Sequence, residues 1–148
     1  MMIKSAEIND VRYRKVGIFG CTALATSIVV PLVKKGFVVN MIDEDLRQFD
    51  KLLEEDIQAG RIVPILGDGT KIRDLMKLFV DGCEVFFALT DSDTKNILSC
   101  EIVKHNFGSE KLVARIEDSV LNRIYKDIGL ITVSGTNVLS DLILDLSL

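Results

Sequence analysis

Residues 15–25 read KVGIFGCTALA, and their reading decides the fold. Val16 to Phe19 is a short, wholly apolar run, as expected for a buried strand. Gly20 follows as a turn residue, and Ala23 to Lys35 carries the periodicity of a helix that Gly36 stops. A buried strand, a glycine turn and a helix in immediate succession make the first step of an α/β alternation, and the rest of the chain repeats it. Pro31 falls inside this first helix, where it removes one backbone bond and should bend the element.

Phe37 to Ile42 is a second strand. Asp45 to Ala59 is predicted as one helix with Leu46, Phe49, Leu52 and Leu53 on its apolar side, ended by Gly60. Arg61 to Leu66 is a third strand. Thr70 should cap a helix from Lys71 to about Val80. Glu84 to Leu89 reads as a strand, DSDTKNILSCEIVKHNF as a helix, Lys111 to Ile116 as a strand, Ser119 to Ile128 as a helix and Leu130 to Val133 as a sixth strand. A last helix covers Asn137 to Leu146. Each strand is a continuous apolar run, which marks a parallel sheet covered on both faces. The predicted fold is therefore a Rossmann-like, doubly wound, three-layer α/β sandwich of about six strands, with 1–148 as a single domain.

Composition narrows the function. At 148 residues the chain has enough apolar side chains, 48%, for a real core. Its net charge of −4 and 18 scattered basic residues argue against nucleic acid, whose binding needs clustered Lys and Arg. Cys21, Cys83 and Cys100 form neither a CxxC pair nor an even disulfide set, which fits a reducing cytoplasm. The first residues lack the apolar core of a signal peptide, and the longest apolar stretch, Leu24 to Val33, is too short and too interrupted to span a bilayer.

In such a sheet ligands bind beyond the carboxyl ends of the strands. After the first strand, Gly20 keeps the bend of a GxGxxG turn and Ala25 stands in for its third glycine, whereas Thr22 occupies the second, where phosphate would pack against bare backbone. The helix N-terminus still offers N–H groups, and the Thr22 hydroxyl is a possible further donor to phosphate. After the second strand, Asp43 comes about 23 residues past Gly20, the interval of an acid that binds adenosine ribose and repels a 2′-phosphate. The alternative is that Asp43, Glu44 and Asp45 merely open a helix. Gly67-Asp68-Gly69-Thr70 and Thr90-Asp91-Ser92-Asp93 follow the third and fourth strands, and each alone could be a turn and cap. Arg115, a charge inside the apolar run LVARIED, needs a partner, either in a cleft or in a structural salt bridge.

From about Lys15 to Ser140 the chain resembles the RCK N-terminal, or TrkA-N, domain, the regulatory subunit family of potassium uptake systems and potassium channels. The resemblance rests on the order of GIFGCTALA, VVNMIDED, ILGDGT, VFFALTDSDTKN, KLVARIED and IYKDIGLITVSG. It implies a cytoplasmic module, peripheral to the membrane through a partner, that binds NAD(H) or an adenine nucleotide (ADP, ATP or AMP). Occupancy would change the shape of a homodimer or ring and so gate a membrane-embedded potassium transporter subunit. Carried over, Gly20, Cys21, Thr22, Ala23, Leu24 and Ala25 hold the phosphates and Asp43 the ribose. Asp68 and Gly69 lie beside the adenine end, and Thr90, Asp91 and Arg115 line the other side. Asn96 matches a family position without an assignable role. Ala23 stands where many members have an arginine that reaches terminal phosphates, and the sequence given ends at Leu148 without the C-terminal lobe that often follows.

Val138, Leu139, Leu142, Ile143 and Leu146 share one side of the last helix, which either packs on the parent sheet or, as the resemblance implies, is a subunit-contact helix over 137–148. No catalytic or metal-binding residue is expected. The single His105 is predicted to sit far from the cleft, and neither Tyr13 nor Tyr125 has a lysine four residues on. An oxidoreductase, or an adaptor whose pocket has degenerated, remains the alternative.

Overall fold

A computed structural model of the protein describes residues 14–79, 82–109 and 111–148. Its elements run β1 (Arg14–Phe19), α1 (Ala23–Lys34), β2 (Phe37–Asp43), a 3-10 helix (Leu46–Lys51), α2 (Glu54–Gln58), β3 (Ile62–Leu66), α3 (Ile72–Leu78), β4 (Val85–Ala88), α4 (Asp93–Asn106), β5 (Lys111–Arg115), α5 (Ser119–Asp127), β6 (Ile131–Val133) and α6 (Gly135–Ser147). The six strands form one sheet in the order β3-β2-β1-β4-β5-β6, and every neighbouring pair is parallel. This is the Rossmann-like doubly wound arrangement, and the strand order reverses between β1 and β4.

Two apolar clusters, one on each face, hold the sheet. Val16 and Ile18 of β1 pack with Ala25 and Val29 of α1, Val39 and Met41 of β2, and Phe49 and Leu52. On the opposite face Phe86, Ala88 and Ala114 pack with Leu75 and Leu78 of α3 and with Ile97, Cys100 and Val103 of α4. Burying each large side chain contributes roughly 1.5–3 kcal/mol, which is why the strands need apolar residues on both faces. Gly17 has a packing reason: a Cβ there would come within 2.7 Å of the Leu78 side chain, so β1 and α3 approach closely only across a glycine.

The structure corrects two local expectations. The single helix expected over Asp45 to Ala59 is broken into the 3-10 helix and the short α2, with Leu53 extended between them. Phe49 and Leu52 are both buried, and their spacing of three matches the 3.0-residue turn of a 3-10 helix. The chain then restarts, and in α2 the nearly buried Asp56 pairs with Arg61 at 2.6 Å. Thr70 does not cap α3, whose N-cap is Lys71 with no side-chain bond. The Thr70 amide and hydroxyl instead donate to Asp68, while Asp74 reaches back to accept the Asp68 amide at 2.8 Å. The expected end of that helix at Val80, and the N-terminal stretch with Tyr13, lie outside the described residues.

Helix α1 runs through Pro31 to Lys34. Helix α6 starts two residues earlier than expected, capped by Ser134, whose hydroxyl accepts the Asn137 amide. Every residue of α6 is exposed, including Val138, Leu139, Leu142, Ile143 and Leu146. Among the described residues no helix is long and apolar enough to cross a membrane.

Candidate functional site

The reversal of strand order leaves a crevice beyond the carboxyl ends of β1 and β4, where open α/β sheets take their ligands. Gly20 forms its floor with φ +95°, and a Cβ there would meet the Thr90 backbone and side chain at 2.9–3.1 Å. The bend after β1 therefore needs glycine both for its backbone angle and for the closeness of the neighbouring strand end. A cavity of about 580 Å³ opens above it.

Of the residues predicted from sequence, Gly20, Cys21, Thr22, Ala23, Asp43, Thr90 and Asp91 line this cavity. Leu24, Asp68, Gly69 and Arg115 do not. Gly69 lies against the Phe19 ring, where a Cβ would come within 2.5 Å, so its small size serves packing. Asp68 is occupied by Thr70: burial pushes its carboxyl up, but the Thr70 hydroxyl and amide outweigh this and hold it below the usual range. The cavity also takes in Glu44, Asp45 and Ser92, which the sequence reading had as helix-opening and turn residues, and Gln48, Lys51 and Lys95, which it did not single out. Lysines on helix surfaces carry no sequence signal of their own, and only the fold brings these two to one opening.

Thr22 caps α1, and its hydroxyl is spent. It accepts the Ala25 amide at 3.3 Å and gives its only proton to the Leu89 carbonyl at 2.9 Å. The expectation of this hydroxyl as a phosphate donor is corrected: it ties the first turn of α1 to the end of β4. Three successive amides beside it are free. The N–H groups of Thr22, Ala23 and Leu24 have no acceptor among the described residues, whereas the Cys21 amide donates to Asp43 Oδ2 at 2.8 Å. Asp43 Oδ1 accepts the Asp45 amide at 2.8 Å, so each oxygen of this carboxylate keeps one lone pair for a further donor. Those free amides at a helix N-terminus are the donor set for an oxyanion, and with the Asp43 lone pairs they fit a phosphorylated ribose compound.

On the far side, the strand ends are held by polar clips. Asn96, fully buried, accepts the Thr90 amide and hydroxyl and donates to the carbonyls of Thr90 (3.0 Å) and Arg115 (2.8 Å). This locks the ends of β4 and β5 together and supplies the role that the sequence could not assign to Asn96. Asp93 accepts the amides of Glu117 and Asp118. Arg115 pairs with Asp91 at 3.0 Å and Glu117 at 3.2 Å, so the charge in this strand is balanced by two carboxylates. Glu117 in turn accepts from the Ser134 hydroxyl and the amides of Gly135 and Thr136 at the start of α6. Burial would raise its carboxyl, but these donors and Arg115 bring it down to about 2.

The thiols are poor nucleophiles. Burial, with Asp43 nearby, pushes Cys21 up to about 11, and burial pushes Cys83 and Cys100 to about 12. His105 is exposed beside Glu101 at 3.3 Å, outside the cavity. Among the described residues no His, Cys, Asp and Glu side chains gather into a metal-binding group.

The TrkA-N domain family model matches residues 16–135, which takes in β1 from Val16, the other five strands and every residue that lines the cleft. The chain belongs to the TrkA-N family. A Trk system potassium uptake protein TrkA homolog from Archaeoglobus fulgidus is 27% identical over 116 residues, 78% of this chain and 26% of that protein. The chain spans about a quarter of the length of the TrkA homologs it matches. Two solved structures share this fold at low identity. The C-terminal domain of a Shewanella denitrificans Kef protein in its AMP-bound form gives a TM-score of 0.70 at 16% identity, covering 91% of this chain and 83% of that one. The GsuK channel bound to NAD gives 0.65 at 17%, covering 85% and 22%.

Proposed function

We propose that this TrkA-N chain is a nucleotide-sensing regulatory domain of a potassium transport system. It binds NAD(H) or an adenine nucleotide in the crevice between β1 and β4 and carries out no chemistry of its own. The observation that carries this reading is the run of free amides that starts at the cavity-lining Thr22 and Ala23 and continues to Leu24, with Asp43 lining the same cavity. The amides would hold phosphate and Asp43 the ribose hydroxyls. Relatives described as potassium uptake proteins, and neighbours solved with NAD and AMP, support the same reading.

The signal would leave the cleft through Asp91. This cavity-lining carboxylate pairs with Arg115, Arg115 with Glu117, and Glu117 holds the first turn of α6. A nucleotide that draws Asp91 or Arg115 toward itself would loosen or tighten that cap and shift the population of α6 positions. The exposed apolar side of α6 would then meet a second copy in a dimer or ring. That assembly would act on a membrane-embedded partner at the cytoplasmic face.

The test is calorimetric titration with NAD, NADH, AMP, ADP and ATP, using Ala23→Glu as the control. Ala23 is exposed, and a carboxylate in the first turn suits the helix dipole while repelling phosphate from the free amides. Micromolar binding that falls at least tenfold in a variant of unchanged melting temperature supports the sensor. No binding of any of the five to the unaltered chain overturns it. The adaptor would then stand, a reading favoured by the Thr22 hydroxyl and Asp43 oxygens already having internal partners.

A further inference from the structure

We infer that Lys51 and Lys95 read phosphate charge in this cleft, and that the site is built for a ligand carrying a diphosphate, not a single phosphate. The inference rests on the nucleotide reading above and assigns the specificity within it. Lys51 ends the 3-10 helix on the β2 side, and Lys95 stands in the first turn of α4 on the β4 side. Both line the cavity, with the α1 N-terminus between them.

The charge balance singles them out. Among the carboxylates of the cavity, Asp43 accepts two amides, Asp45 pairs with Arg47 at 3.0 Å, and Asp91 pairs with Arg115. Neither lysine takes part in this. Among the described residues the Lys51 ammonium donates only to neutral oxygens, Gln48 Oε1 at 2.6 Å and the Cys21 carbonyl at 3.4 Å, and keeps its third proton. The Lys95 amide donates to the Ser92 hydroxyl at 3.3 Å, but its ammonium has no hydrogen bond or ion pair among the described residues. Two ammonium groups without an ion-pair partner among the described residues thus share the crevice with three amides without acceptors. One phosphate on the amides would leave at least one lysine unsatisfied, and a second phosphate would engage it. Glu44, on the β2 side of the same cavity, would repel phosphate there and leave that end to hydroxyl groups.

This arrangement substitutes for what the glycine turn lacks. The Thr22 side chain stands where a second glycine would leave bare backbone and its hydroxyl is spent, and Ala23 offers no charge. The cationic contribution comes instead from two elements that the fold brings in from outside the turn.

The experiment titrates the unaltered chain and the variants Lys95→Gln, Lys95→Arg and Lys51→Gln with adenosine, AMP, ADP and NAD at low and moderate salt. The unaltered chain should bind ADP and NAD more tightly than AMP, with an affinity that falls as salt rises. Lys95→Gln should weaken ADP and NAD about fivefold and flatten the salt dependence, as expected for one exposed charge contact. Its adenosine binding should stay unchanged, and Lys95→Arg should restore the affinity for ADP. Lys51→Gln should act the same way. If its melting temperature falls, showing that the Cys21 contact was structural, the Lys95 variants decide the matter. ADP and NAD affinities within twofold of the unaltered chain in both Gln variants would overturn the inference while leaving the sensor intact. No nucleotide binding to the unaltered chain would overturn both.

Discussion

The two halves of the sheet treat their polar groups in opposite ways. At the ends of β4, β5 and β6, nearly every polar group is spent on another. Asn96 makes four bonds, Asp93 accepts two amides, Arg115 takes two carboxylates and Glu117 caps α6. At the end of β1 the Thr22, Ala23 and Leu24 amides stay unspent beside a cavity, which Lys51 enters from the 3-10 helix and Lys95 from the first turn of α4. Both halves are parallel strands joined by helical crossovers, and the polar groups at their strand ends are used differently. Satisfied groups make a rigid strut, and unsatisfied ones face water at no great cost and wait for a ligand. A doubly wound sheet can therefore divide its labour at the switch point, holding on one side and receiving on the other.

The comparison breaks most sharply at Asn96. Asn96→Ala removes all four bonds from a fully buried site and leaves the Thr90 amide and the Thr90 and Arg115 carbonyls without partners. The expected loss is on the order of 3 kcal/mol, read as a lower urea midpoint with unchanged slope. On the receiving side, Thr22→Ala removes a helix cap and the bond to Leu89, at an expected cost of about 1 kcal/mol. If Thr22→Ala proves as costly as Asn96→Ala, the division between a holding and a receiving half is wrong.

The smallest effect concerns Glu117. Its carboxyl titrates at about 2 in the folded chain instead of the ordinary 4.5, so its cap stabilises the fold above pH 4.5 and is lost as pH falls from there toward 2. Glu117→Gln should remove that part of the acid sensitivity and speed hydrogen exchange at the Gly135 and Thr136 amides, with little change in exchange at β1. An acid limb identical in the variant would show that α6 is held by something other than this carboxylate.

The strands were legible because each is an apolar run, and continuous runs alternating with helices admit few architectures. Arg115 was legible as an anomaly, since a charge in such a run demands a partner, but which partner depends on Asp91 arriving from a different strand. Asn96 could be matched and not explained, because its role exists only once β4 and β5 lie side by side. The break after Lys51 was hidden because Phe49 and Leu52 fit both a 3-10 and an α spacing in sequence. Lys51 and Lys95 were silent for a different reason: an exposed lysine is ordinary until a fold places a cavity beneath it.

The cap on α6 has a mechanical consequence. The helix has 13 residues, all of them exposed, and its described polar anchorage is gathered at its first turn. At 1.5 Å per residue it is a lever about 20 Å long, so a tilt of roughly 10° at the pivot carries its tip roughly 3 Å. A shift at Glu117 too small to disturb the sheet becomes, at Leu146 and Leu148, a displacement on the scale of a side chain. Whatever meets the tip of α6 experiences the pivot magnified.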